Sequence, residues 1–111
     1  MEKRTDLGSL EELAMLAVAG VGEGAYGVPI WEAVQRATGR SIAMGAIYTT
    51  LDRLEEKGYV RSWQGEPTAQ RGGRAKRFFV LTGVGEQALR DAENARQTLR
   101  AAGPQTAGGG I

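Results

Sequence analysis

Residues 44–77 constrain this chain most. MGAIYTTLDRLEEKG reads as an amphipathic helix: at steps of about 100° per residue, Ile47, Thr50, Leu51 and Leu54 fall on one face. The opposite face carries Gly45, Tyr48, Thr49, Asp52, Arg53 and Glu56. The helix begins between Ser41 and Met44, and Gly58 offers the left-handed stop that ends many helices. Directly after it, residues 59–63 have strand character, since Tyr, Val and Trp are favoured there. Residues 65–73, with Pro67 and the Gly72-Gly73 pair, read as a turn, and residues 74–81 as a second strand. The two strands make a hairpin.

The rest of the chain supplies more helices. Ser9 and Glu12 have the spacing of a capping box, and Leu10, Leu13, Ala14, Leu16 and Ala17 then recur at helical intervals, predicting a first helix that ends near Gly20. Gly22-Glu-Gly24-Ala-Tyr-Gly27 matches the dinucleotide-binding pattern GxGxxG only in form. That motif needs a strand before it, whereas a helix precedes it here, so a helix–helix connector is the reading. Pro29 suits the first turn of a second helix, with Ile30, Val34 and Ala37 toward the core, Trp31 beside them and Gly39 as the stop. Thr82 can cap a last helix, with Glu86 near its start. Its stripe of Val84, Ala88, Leu89, Ala92, Ala95 and Leu99 has nothing obvious left to cover within one subunit, so a partner chain is the simplest cover. Three helices, a hairpin and a further helix make a mainly α fold with a β-hairpin: a winged helix-turn-helix plus a C-terminal dimerisation helix. The expected divisions are an N-terminal arm at residues 1–8, the winged domain at 9–82, the dimerisation helix at 83–102 and a flexible tail at 103–111.

Composition narrows the chemistry. The 111 residues and 41% apolar content suit one small domain, whose marginal core makes oligomerisation a natural source of stability. The chain has neither Cys nor His, which removes thiolate zinc sites, cysteine nucleophiles and the commonest general base, so no enzyme, metal or cofactor is expected. Glu11-Glu12 and Glu55-Glu56 are adjacent helical positions that diverge, and read as solvated faces rather than paired catalytic acids. The longest apolar run, residues 13–21, is too short for a bilayer, and a cytoplasmic location is the default.

The net charge is only +1, so nucleic-acid binding must come from local clustering. Arg71, Arg74, Lys76 and Arg77 lie in a stretch free of acids from residue 67 to 83. Along a strand Arg74 and Lys76 share one face, and Arg71 can reach from the turn, so these three are the expected phosphate contacts. The preceding helix is the candidate reader of base edges, which N-terminal residues reach first. Met44 and Gly45 stand there, and Gly45 lets backbone approach a phosphate. Tyr48 and Thr49 are the candidates for specificity, though Tyr48 could equally pack at the edge of the core. Arg53 is expected to reach a phosphate, against the alternative of pairing with Asp52 or Glu56. Trp63 and Trp31 are expected to pack rather than stack on a ligand.

Residues 45–60, GAIYTTLDRLEEKGYV, resemble the signature of the PadR family of bacterial transcriptional regulators. GRAKRFFVLT, residues 73–82, is similar to that family's wing and the threonine opening its last helix, and Tyr26-Gly-Val-Pro-Ile30 resembles the start of its second helix. The resemblance covers about residues 7 to 100 and implies a homodimeric repressor acting on a pseudo-palindromic duplex DNA operator. It implies that the last helix dimerises with help from the first, which adds Leu10 and Leu13 to the stripe above. It also implies release of DNA by a small effector or stress cue, with no residue assigned to that effector. Ala43 departs from the family, which commonly has a Ser cap there, so Ser41 could cap instead. The absence of any aromatic residue after Leu81 leaves a tryptophan-lined drug pore unsupported. The alternative reading is a winged-helix module for protein–protein contact without DNA.

Overall fold

A computed structural model describes residues 7–65 and 75–103. The order is α1 (Ser9–Val21), α2 (Gly27–Thr38), α3 (Met44–Glu56), β1 (Val60–Gln64), β2 (Arg77–Leu81) and α4 (Gly83–Ala102). The expected arm (1–8) and tail (103–111) lie largely outside the described residues, as do Arg71 and Arg74.

The apolar stripes converge as their periodicity requires. Ala14, Met15 and Val18 of α1, Ile30 and Val34 of α2, and Ile47, Leu51 and Leu54 of α3 are buried, and Tyr59, Val60 and Phe79 of the hairpin close the core. Thr50, also buried, satisfies its hydroxyl by donating to the Ala46 carbonyl at 2.7 Å. Ala37 stays on the α2 stripe but is exposed, because an open apolar groove with Leu13, Leu16 and Gly20 separates it from α1.

The strands pair antiparallel, with Ser62 opposite Phe79 and Trp63 opposite Phe78. β1 has the expected length, displaced by one residue, whereas β2 is shorter than the residue types predict, so Lys76 precedes it, although its carbonyl still accepts from Gly65 N–H at 2.8 Å. β2 is also tied to the glycine-rich connector: Phe79 N–H donates to the Ala25 carbonyl at 2.8 Å, and Tyr26 bridges to Phe78. Gly22 and Gly24 take positive φ there, which only glycine adopts without strain, so this segment is a shaped connector.

Three expectations need correction. The first concerns the α1 start: the N-cap is Gly8, not Ser9, and its N–H is held by the Glu11 carboxylate at 2.8 Å. Moving the cap one residue back frees Glu12 to turn inward, where it is buried and ion-paired with Arg96 of α4. The second concerns the carboxylates read as solvated. Glu11 is bound by Lys57 at 2.8 Å, and Glu55 is bound by Ser62 and Arg77, so tertiary cations recruit what the helical wheel left outside. The third concerns the α4 stripe. Its first half covers the chain's own core, with Gly85 buried and Ala88 and Leu89 packed on the cluster, while Val84 and Leu99 stay exposed. Leu10 and Leu13 likewise pack partly on that core.

The Arg96 hydrogen bond holds the Glu12 carboxyl below its ordinary pKa of 4.5, outweighing the opposing effect of burial. A carboxylate depressed in this way stabilises the fold above its unfolded pKa and loses that contribution as pH falls through the folded value. The melting temperature should therefore fall as pH drops below about 4.5. Glu12→Gln should start lower at neutral pH and lose less over that acid window. Parallel curves for the two proteins would remove the pair from the acid response.

Candidate nucleic-acid interface

Gln35 and Trp31 set the start of α3. The Gln35 Oε1 accepts from Ile42 N–H at 2.8 Å, and the Trp31 indole N–H donates to the Ile42 carbonyl at 2.6 Å. With Ile42 held at both backbone groups, α3 begins at Met44 with Ala43 as an N-cap that contributes no side chain, and Ser41 is not the cap. Trp31 thus packs, with its polar atom satisfied as buried indoles require. At the other end Gly58 turns the chain at φ +82°, and its carbonyl accepts from the Thr82 hydroxyl at 2.6 Å. Thr82 Oγ1 in turn accepts from Gly85 N–H at 3.0 Å, the expected cap of α4. One threonine therefore joins the end of α3 to the start of α4.

Gly45, Thr49, Asp52, Arg53 and Glu56 lie exposed along one face of α3, and Met44 is half-buried at its start. Tyr48 is half-buried, and its ring lies on Gly27: a Cβ on that glycine would sit 1.9 Å from the Tyr48 hydroxyl oxygen. Gly27 is the first residue of α2, so Tyr48 packs over the α2 N-terminus with part of its ring still open. Arg53 is close enough to Glu11 to help lower that carboxyl's pKa. There burial pushes up, but the Gly8 N–H and Lys57 prevail. Asp52 is paired with Arg77 at 2.9 Å.

The hairpin also reaches this helix terminus. Lys76 is exposed and its ammonium stands 4.4 Å from the Tyr26 ring centroid, a cation–π distance. Tyr26 is the N-cap of α2, which has no capping side chain and no acid in its first turn. Tyr48 and Lys76 therefore both lie at one helix N-terminus, whose dipole adds positive potential. Tyr26 also meets Phe78 edge-on at 5.8 Å, and Phe78 stacks on Trp63 at 5.9 Å. Trp63 packs on the hairpin as expected, with its outer part exposed.

Arg77, one residue from Lys76, faces the opposite way. Its guanidinium reaches Asp52 and Glu55 of α3 and Ser62 of β1. The Ser62 hydroxyl, opposed by burial and joined by Arg77, holds the Glu55 carboxyl below 4.5. Burial acts to lower the Arg77 pKa, but Asp52 and Glu55 raise it overall. Strand alternation separates Arg77 from Lys76, but no sequence pattern names its two acid partners. The staple on Ile42 is equally hidden, because it joins a turn to side chains seven and eleven residues earlier.

Among the described residues, no helix is long and apolar enough to cross a membrane. Solved structures share the fold. A PadR family transcription regulator from Clostridium difficile R20291 is 23% identical, with a TM-score of 0.64, covering 85% of this chain and 93% of that one. A PadR-like transcription factor from Bacteroides fragilis is 25% identical, with a TM-score of 0.68, covering 83% and 84%. A structure described as the complex of hsRosR-S4 is 23% identical, with a TM-score of 0.64, covering 91% and 78%. No curated protein matches the chain. The model of the transcriptional regulator PadR-like family, whose members are regulators and not enzymes, matches residues 15–91, which span α1 from Met15 through α3 and the hairpin into α4. With its mainly helical fold, winged hairpin and C-terminal helix, this chain belongs to the PadR-like family of transcriptional regulators.

Proposed function

We propose that the protein is a homodimeric, sequence-specific DNA-binding regulator, a repressor released by a small ligand or stress cue, acting in the cytoplasm. The observation that carries this reading is the placement of Tyr48 against Gly27 and of Lys76 over Tyr26, which brings both to the α2 N-terminus. In this reading Met44, Gly45, Tyr48 and Thr49 approach base edges, while Lys76 and Arg53 engage phosphates with Arg71 and Arg74 of the wing. The repressor role and the effector rest on family likeness alone. Dimerisation is supported by apolar side chains that the chain's own core leaves open: Leu16 is 50% exposed and Leu99 72%. A dimer would space two weakly basic reading units along one operator.

The test is titration of the protein on its own upstream DNA at several salt concentrations. Binding should weaken steeply with salt. Lys76→Ala should make the slope shallower by about 0.9 for each phosphate the lysine neutralises, for specific and scrambled DNA alike. Tyr48→Ala should instead change the preference between sites. Leu99→Glu should shift sedimentation toward monomer and weaken binding together. A flat salt dependence, or equal affinity for scrambled DNA, would sink the reading.

A further inference from the structure

Arg77 belongs by sequence to the basic run proposed above to meet DNA, yet its surroundings give it other work. Alternation along β2 turns Phe79 and Leu81 onto the core and Val80 outward, and Arg77 shares the inward face. Three of its N–H donors are committed. One terminal nitrogen donates to Asp52 at 2.9 Å, the other to Glu55 at 2.6 Å, and Nε donates to the Ser62 hydroxyl at 3.2 Å. That hydroxyl lies 2.9 and 3.0 Å from the two Glu55 carboxylate oxygens, and Ser62 N–H donates to the same carboxylate at 3.3 Å. The guanidinium also lies 4.9 Å from the centroid of the buried Phe79 ring. Arg77, Ser62 and Glu55 thus close one polar ring between α3 and the hairpin, and Asp52 joins it through Arg77.

We infer that Arg77 is a positioning residue: through Asp52, Glu55 and Ser62 it sets where the hairpin stands against α3. Charge-assisted bonds with a planar fork are directional, so they fix an angle that apolar contact alone leaves loose. Resting on the DNA-binding reading above, this makes the ring a determinant of specific affinity: it holds Lys76 and the wing at a set distance from the bases that α3 reads. The two carboxylates lie on α3 itself, where unpaired negative charge would repel DNA.

That position gives the test a decisive sign. Glu55→Ala and Glu56→Ala each remove one negative charge from α3, and Glu56 is exposed on the same helix. Coulomb's law alone predicts that both variants bind DNA as tightly as the parent or more tightly. A positioning role predicts that Glu55→Ala loses specific affinity by about fivefold or more, while Glu56→Ala does not weaken binding. Arg77→Met should show the same loss with an unchanged salt slope, and Arg77→Lys should recover part of it. Hydrogen exchange without DNA should speed up at residues 60–64 and 77–81 in Glu55→Ala while α1 and α2 stay protected.

The inference is overturned if Glu55→Ala binds as well as Glu56→Ala. It is also overturned if Arg77→Met lowers the salt slope by about 0.9 per site, which marks a phosphate contact. Should Arg77→Met fail to fold, Glu55→Ala still decides the matter. Should the parent protein bind no DNA, the proposed function fails but the exchange measurement still judges the ring: unchanged hairpin protection refutes it.

Discussion

Phe79→Ala should lower the stability of the protein by about 3–5 kcal/mol, among the largest effects of any single truncation in the chain. Phe79 is 2% exposed and among the largest fully buried side chains, packed where α1, the connector and the hairpin meet. Its truncation leaves a cavity that cannot collapse easily, because the Phe79 N–H stays pinned to Ala25 and its neighbours stay in register with β1. In a domain this small the melting temperature should fall by roughly 10–30 °C. Since the same strand carries Arg77 and follows Lys76, DNA binding should fail at temperatures the parent tolerates. Phe79→Leu keeps most of the volume and should cost less than about 2 kcal/mol. Thermal melts decide this; an alanine variant melting within a few degrees of the parent would mean that Phe79 is not central to the core.

The second large effect is expected at Gly85. A Cβ there would lie 2.1 Å from the Tyr59 carbonyl oxygen and 2.9 Å from its carbon. Those are backbone atoms, and the carbonyl is already fixed by accepting from Thr82 N–H at 3.0 Å. The first turn of α4 must therefore lift away, loosening Ala88 and Leu89 from the core and parting Arg96 from Glu12. Gly85→Ala gains about 1 kcal/mol of helix propensity, yet overpacking of this kind costs about 1–3 kcal/mol and more where backbone must move, so net destabilisation is expected. Gly83→Ala is the matched control, because nothing lies within 4 Å of a Cβ there. Melts should separate the two variants by roughly 5–10 °C or more, on the order expected for a kcal/mol or more. Equal behaviour would show that α4 does not dock as tightly as the glycine contact implies. If α4 carries the dimer, Gly85→Ala should also lose DNA affinity beyond what its melting temperature explains.

Local periodicity made much of the fold legible. Ile47, Thr50, Leu51 and Leu54 are the buried face of α3, and Gly39 and Gly58 stop their helices at positive φ. Thr82 caps α4 as its position before the apolar stripe suggested. What stayed hidden depends on the angles at which elements pack. Glu12 and Arg96 are far apart in sequence and meet only because α4 folds back along α1. The stripe of α4 gave no sign of where the chain's own core would stop using it. In the candidate site, the exposed positions of α3 followed from the helical wheel, but the seating of Tyr48 on Gly27 did not. It depends on a glycine that the sequence placed in the connector and at the start of the second helix, with nothing to link it to Tyr48.

The staple at Ile42 has a mechanical consequence. Because side chains of α2 grip both backbone groups of that residue, α2 and α3 cannot pivot on each other without breaking both bonds. Motion of α2 is thereby coupled to the segment that starts α3. A displacement imposed on α2 is then passed toward the start of α3 through those two bonds. A sensor built against α2 needs no transmission of its own.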